Sequence, residues 1–181
     1  MEDEIKKTTH SSFWANIFHT STESDELLQS LKAIPLFKSL SEKDLRNMMG
    51  IIHNRNYISN EFIFYQGDPG IGLYIIREGE VMINRESDEG DKITLAEIGK
   101  GDFFGELALV DNDTRSASAI AKTDVKLSVI FKSDLDEFIE KYPKKGVKIL
   151  QGIAEITALR LRVLNEDYFQ LRKEQIKGGQ L

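Results

Sequence analysis

Phe104-Gly105-Glu106-Leu107-Ala108-Leu109 and, five residues later, Arg115-Ser116-Ala117-Ser118-Ala119 are the segments that decide this chain. Gly105 permits close backbone approach. A short helix beginning near Glu106 aims its unpaired N–H groups at one point. A turn over residues 111–114 brings an arginine back beside that helix start, and the two make an anion site. Glu106 is the odd member, because a carboxylate beside an anion site repels the ligand unless it has another task. Accepting a hydrogen bond from a sugar hydroxyl is such a task. Arginine, carboxylate and helix start together point to a phosphate joined to a ribose.

Outward from this stretch, between Arg55 and Ile130, short apolar runs are punctuated by glycine and acidic turns such as Gly67-Asp68-Pro69-Gly70 and Asp88-Glu89-Gly90-Asp91. Strands are predicted near 54–58, 62–65, 72–77, 80–85, 92–98, 102–104, 116–121 and 125–130. Eight short strands at regular spacing predict a mainly β sandwich or closed barrel. Before them, a helix is predicted over 24–33 with Leu27, Leu28 and Leu31 on one side, broken at Ile34-Pro35. Ser41, followed by Glu42, Lys43 and Asp44, reads as the N-cap of a second helix carrying Leu45, Met48 and Met49 inward.

After Phe131 the helical period returns. Ser133 is expected to cap a helix over 134–141, and Pro143 to open a longer one that Gly178-Gly179 stops near Lys177. Leu150, Ala154, Thr157, Leu161, Leu164, Tyr168 and Leu171 follow alternating steps of four and three. That seam predicts pairing with a second copy as a homodimer; the alternative is packing on its own β body, and the helix is long enough for both at different ends. Phe13, Trp14, Ile17 and Phe18 form a further helical stripe, either packed on the body or docking another protein. The expected organisation is an irregular segment over 1–21, a β domain with its N-terminal helices over 22–142, and the long helix over 143–181.

Of the 181 residues none is cysteine, which excludes a disulfide scaffold, a zinc ribbon and a cysteine nucleophile. Residues 1–140 hold 15 basic and 26 acidic side chains; residues 141–181 hold 9 and 4. An acidic body argues against a general nucleic-acid binder, and the basic tail reads as a solvated helix face. No apolar run approaches the ~18 residues of a membrane span, and the acidic N-terminus lacks the order of a signal peptide. The expectation is a cytoplasmic protein without membrane contact. His10, His19 and His53 are scattered, so neither a metal centre nor a metal cofactor is expected. No nucleophile or second catalytic carboxylate is spaced to work with Glu106, so the chain is not expected to be an enzyme.

The two opening segments resemble the phosphate-binding cassette of cyclic nucleotide-binding domains, the module of bacterial catabolite activators, kinase regulatory subunits and gated channels. Gly67-Asp68-Pro69-Gly70 with Leu73-Tyr74-Ile75-Ile76 and Gly79 resembles the family's earlier turn-strand signature, and Ile34-Pro35-Leu36-Phe37 with Leu40-Ser41 its helical lead-in. The resemblance covers roughly residues 27–165. It implies an eight-stranded antiparallel β jelly-roll barrel with N-terminal helices and a long C-terminal helix acting as lid and dimer element. It implies that Arg115 pairs with the cyclic phosphate, that Glu106 accepts from the ribose 2′-hydroxyl, and that Gly105, Leu107 and Ala117 contribute backbone groups. Ser116 occupies the position that helps choose the base and implies cAMP over cGMP. Counting along the strands by the same resemblance places Ile83, Leu95 and Ala96 beside the base, with barrel core as the other reading. It places Arg160 and Leu161 on the covering helix, Arg160 either stacked on or bonded to the purine, or solvated. Thr114 stands where the family commonly has proline, which costs some rigidity of the turn (~0.4–1 kcal/mol).

The winged helix-turn-helix of the family's transcription factors has no counterpart before the chain's last residue, so direct DNA binding in that manner is not expected. The implied function is a non-catalytic cyclic nucleotide sensor read by a downstream protein whose identity the residues do not reveal. The alternative is an interaction scaffold that keeps the fold and binds no nucleotide.

Overall fold

The structure is a computed structural model and describes residues 24–177. The Phe13–Phe18 stripe lies outside the described residues. Helix α1 (residues 24–33) leads through a 3-10 turn at Pro35–Phe37 into α2 (Glu42–Met48). Ser41 caps α2 as expected: its hydroxyl accepts from the Asp44 N–H at 3.2 Å, and the Asp44 carboxylate accepts from the Ser41 N–H at 3.3 Å. This reciprocal pair satisfies donors that a helix start leaves free.

Eight antiparallel strands come next: β1 (Ile52–Tyr57), β2 (Phe62–Phe64), β3 (Gly72–Glu78), β4 (Val81–Glu86), β5 (Lys92–Ile98), β6 (Phe103–Phe104), β7 (Ser118–Ala121) and β8 (Val125–Phe131). They form two four-stranded sheets, ordered β1-β8-β3-β6 and β2-β7-β4-β5. The expected jelly-roll strand set is present as two facing sheets.

The alternation of side chains along a strand explains why β3 is apolar throughout. Tyr74 and Ile76 join Leu127, Val129, Val81, Ala119 and Ala121 between the sheets, whereas Leu73 and Ile75 join Ile130 in a second core shared with the helices. A strand buried on both faces reads as a continuous apolar run.

β8 runs directly into α3 (Lys132–Lys141), and Phe131 is its N-cap with no side-chain bond, so the Ser133 cap is not used. The last helix, α4 (Pro143–Lys177), has 35 residues and is about 52 Å long. Its first half packs on the protein's own body through Ile149, Ile153 and Ile156, against Leu36 and Phe37 among others. The expected seam lies on a different face: Leu150 is 42% exposed, and Leu161, Leu164, Tyr168 and Leu171 are 55–64% exposed. The intramolecular alternative for that seam therefore does not hold; a second stripe, not singled out in the sequence, makes the contact. No helix among the described residues is long and apolar enough to cross a membrane.

Candidate functional site

The end of β6 meets a sharp reversal at Gly105, whose φ of 76° and ψ of 18° lie in the left-handed region. A Cβ there would stand 2.6 Å from Arg115 Nη1 and 3.0 Å from the Gly72 carbonyl oxygen. Glycine is thus required both by backbone conformation and by the approach of the arginine. The chain continues as the expected short helix beginning at Glu106, a single 3-10 turn over Glu106–Leu109. Its first N–H groups have no partner within the turn.

Arg115 reaches this reversal because its backbone is tied to the earlier turn. The Arg115 N–H donates to the Asp68 carbonyl at 2.8 Å, and the Gly67 N–H donates to the Arg115 carbonyl at 2.9 Å. A bridge between Pro69 and Thr114 extends the pairing. The turn at residues 67–70 thus positions the arginine from 45 or more residues upstream.

The Arg115 side chain is buried, with the residue 7% exposed. Nη2 donates to the Gly72 carbonyl at 2.9 Å and Nη1 to the Gly105 carbonyl at 3.2 Å. The guanidinium carbon lies 4.2 Å from the centre of the Phe64 ring and 5.5 Å from that of Tyr74. Nε is buried and has no hydrogen-bond partner among the described residues. Burial holds the guanidinium below its ordinary value, against the opposing influence of Tyr74 and of the nearby acids Asp111 and Glu106. Burial likewise pushes the Tyr74 phenol up. Among the described residues Arg115 makes no ion pair, and it does not pair with Glu106 although the two lie close in sequence. Glu106, 1% exposed, instead pairs with Arg160 of α4.

Nine of the eleven residues singled out in the sequence line one cavity of about 400 Å³: Ile83, Ala96, Gly105, Glu106, Leu107, Arg115, Ser116, Ala117 and Arg160. Leu95 and Leu161 do not line it. The register of β4 and β5 shifts between Ile83 and Asn84, which face Ala96 and Thr94, so Leu95 is the extra residue and is 55% exposed beside Arg85 and Ile93. Leu161 is one residue beyond Arg160, about 100° around the helix, and is 55% exposed. Phe104, the first residue of the quoted cassette, completes the lining together with Phe64, Ile98 and Phe103, which were not singled out in the sequence. Their only signal was membership of strands flanking the cassette, which core residues share. The arrangement offers one anion-binding end at Arg115, a carboxylate beside it and an apolar wall opposite. No group of three or more His, Cys, Asp or Glu that could hold a metal occurs among the described residues.

Residues 54–142 match the profile of the family described as cyclic nucleotide-binding domain. The chain is 36% identical over 132 residues to the cyclic AMP receptor protein of Thermus thermophilus, covering 73% of this chain and 59% of that protein. It is 36% identical over 97 residues to the cAMP-dependent protein kinase type II regulatory subunit of Drosophila melanogaster, covering 54% of this chain but 25% of that protein. The chain thus spans less than two thirds of these curated relatives. Among solved structures, a cyclic nucleotide-binding domain from Methylobacillus flagellatus superposes with a TM-score of 0.70 at 26% identity, covering 83% of each chain. The catabolite activator protein of Thermus thermophilus superposes with a TM-score of 0.68 at 34% identity, covering 76% of this chain and 63% of that one. A fold of two facing four-stranded sheets, a cassette built around a buried unpaired arginine and these relatives agree: the chain belongs to the cyclic nucleotide-binding domain family.

Proposed function

We propose that this protein is a non-catalytic sensor of a cyclic mononucleotide, with cAMP preferred over cGMP. The observation that carries the reading is Arg115: a buried guanidinium that makes no ion pair among the described residues and keeps an unpartnered Nε. An uncompensated interior charge costs several kcal/mol, on the order of the penalty for breaking a buried pair. A cyclic phosphate at the same place supplies the missing countercharge and accepts charge-assisted hydrogen bonds. Glu106 then accepts from the ribose hydroxyl, and Gly105, Leu107 and Ala117 add backbone contacts. Ile83, Ala96 and Ile98 provide the apolar wall for the base. Ser116, exposed beside Arg115, supports adenine by the family's pattern.

The output runs through α4. Its first half is fixed to the body, while Leu161, Leu164, Tyr168 and Leu171 form an exposed apolar stripe that suits a twin helix. Ligand capture shifts the helix only by as much as the nucleotide prefers one arrangement over the other.

Thermal shift with cAMP and cGMP tests the ligand. Binding raises stability by about 2.7 kcal/mol at a hundredfold excess over Kd, and Arg115→Ala abolishes that gain. A wild-type protein with no shift at millimolar nucleotide would identify it instead as a scaffold. Light scattering tests the seam: Leu161→Glu halves the mass of a dimer, and an unchanged dimeric mass sinks the pairing as drawn.

A further inference from the structure

We propose that Arg160 is the residue that makes the cavity cationic: by pairing with Glu106 it cancels that carboxylate's repulsion of the phosphate. Anion binding is then strengthened when α4 is seated. This rests on the cyclic nucleotide reading of the same cavity and assigns Arg160 a role other than contact with the base.

Among the described residues three charged side chains line the cavity, Glu106, Arg115 and Arg160. Arg115 and Glu106 alone sum to zero, a poor match for a cyclic phosphodiester carrying one negative charge. Adding Arg160 leaves a net charge of plus one. Asp111, the other acid that acts on Arg115, is exposed and screened by water and salt.

The geometry fits a pairing role. The Glu106 side chain is 2% exposed, so its charge is neutralised by protein rather than by water. Arg160 Nη1 donates to Glu106 Oε1, while no described side chain donates to Oε2. The carboxylate therefore takes the guanidinium on one oxygen and keeps the other for a sugar hydroxyl. The guanidinium carbon of Arg160 also lies 5.4 Å from the centre of the Phe103 ring, which holds it at the cavity mouth. Arg160 comes from a different part of the chain from the cassette, 54 residues after Glu106. It sits just beyond the stretch of α4 anchored by Ile149, Ile153 and Ile156. By linkage, whatever factor the seated helix adds to nucleotide affinity, the nucleotide adds to the seating of the helix.

Calorimetric titration of the full chain with cAMP and with its 2′-deoxy analogue, which offers Glu106 no hydroxyl, tests the assignment. Arg160→Ala weakens cAMP by roughly tenfold, between the effects of exposed and buried charge pairs. Arg160→Lys recovers most of that loss, since the charge is what counts. With the 2′-deoxy analogue, adding Glu106→Gln to Arg160→Ala restores affinity, because the uncompensated carboxylate is gone. The Arg160 side chain is 52% exposed, so its truncation leaves the core intact. Wild-type affinity for cAMP in Arg160→Ala overturns the proposal. So does a loss that Glu106→Gln fails to rescue with the 2′-deoxy analogue, as a merely structural arginine would give. A wild-type protein that binds neither nucleotide overturns the ligand reading itself, and with it this one.

Discussion

Gly152→Ala is the substitution whose outcome separates helix propensity from packing most sharply. Gly152 lies in α4 where the helix crosses the Pro35–Phe37 turn, and a Cβ there would come 2.0 Å from the Leu36 carbonyl oxygen. In an unhindered helix interior, alanine is better than glycine by about 0.8–1.0 kcal/mol. Here the obstacle is backbone, which has no rotamer through which to yield. Restoring an ordinary carbon–oxygen contact requires α4 to move outward by roughly 1 Å, a gap that already forfeits a quarter to a half of each dispersion contact across it. Ile149, Ile153 and Ile156 make that contact, and full truncation of one buried isoleucine costs about 2–5 kcal/mol. Partial loss at three such sites comes to about 3 kcal/mol, so the clash exceeds the propensity gain by about 2 kcal/mol. Thermal unfolding should show a Tm lower by about 4–8 °C for a chain of this size. Arg160, eight residues or about 12 Å further along the helix, should be shifted from Glu106, and nucleotide affinity should fall with it. A raised Tm would refute the reasoning, since it would mean that α4 does not bear on the turn at Leu36.

Gly105→Ala adds about 1–2 kcal/mol of left-handed backbone strain and drives a methyl to 2.6 Å from Arg115 Nη1. Cyclic nucleotide affinity measured by calorimetry should drop at least about tenfold, and unchanged affinity would argue against Arg115 as the phosphate ligand. Acid should loosen the start of α2. The Ser41 hydroxyl, then Lys145 of α4 at 3.1 Å, hold the Asp44 carboxyl below its ordinary value of 3.8. A lowered carboxyl contributes stability above that value and loses it as pH falls through its folded-state value. Tm should therefore decline below about pH 4, and Asp44→Asn should lower Tm at neutral pH while flattening that decline. An equal acid slope in the variant would show that other carboxylates control it.

Much of this fold was legible because its signals are local. Short apolar runs, the acidic and glycine turns between them, the proline break at Pro35 and the Ser41 cap each reside within a few residues. All eight strands fall where those runs and turns place them. Ser133 shows the limit, because the same cap chemistry is present but β8 enters α3 without a break and leaves the serine inside the helix. Leu95 fails for a related reason. One extra residue in β5 reverses which face a side chain takes, and nothing in the sequence marks where that residue is absorbed. α4 carries two apolar stripes, and the heptad pattern belongs to the exposed one.

Residue order alone was enough for the cassette: Gly105, Glu106 and Arg115 lie within eleven residues, so a tight reversal and a turn suffice to bring them together. The pairing of Glu106 with Arg160, which leaves Arg115 without a carboxylate, was settled in three dimensions. Such a choice depends on the angle at which a helix crosses a turn and on how far a sheet has shifted in register. Those quantities accumulate over some fifty residues of packing, and no short stretch of chain carries them.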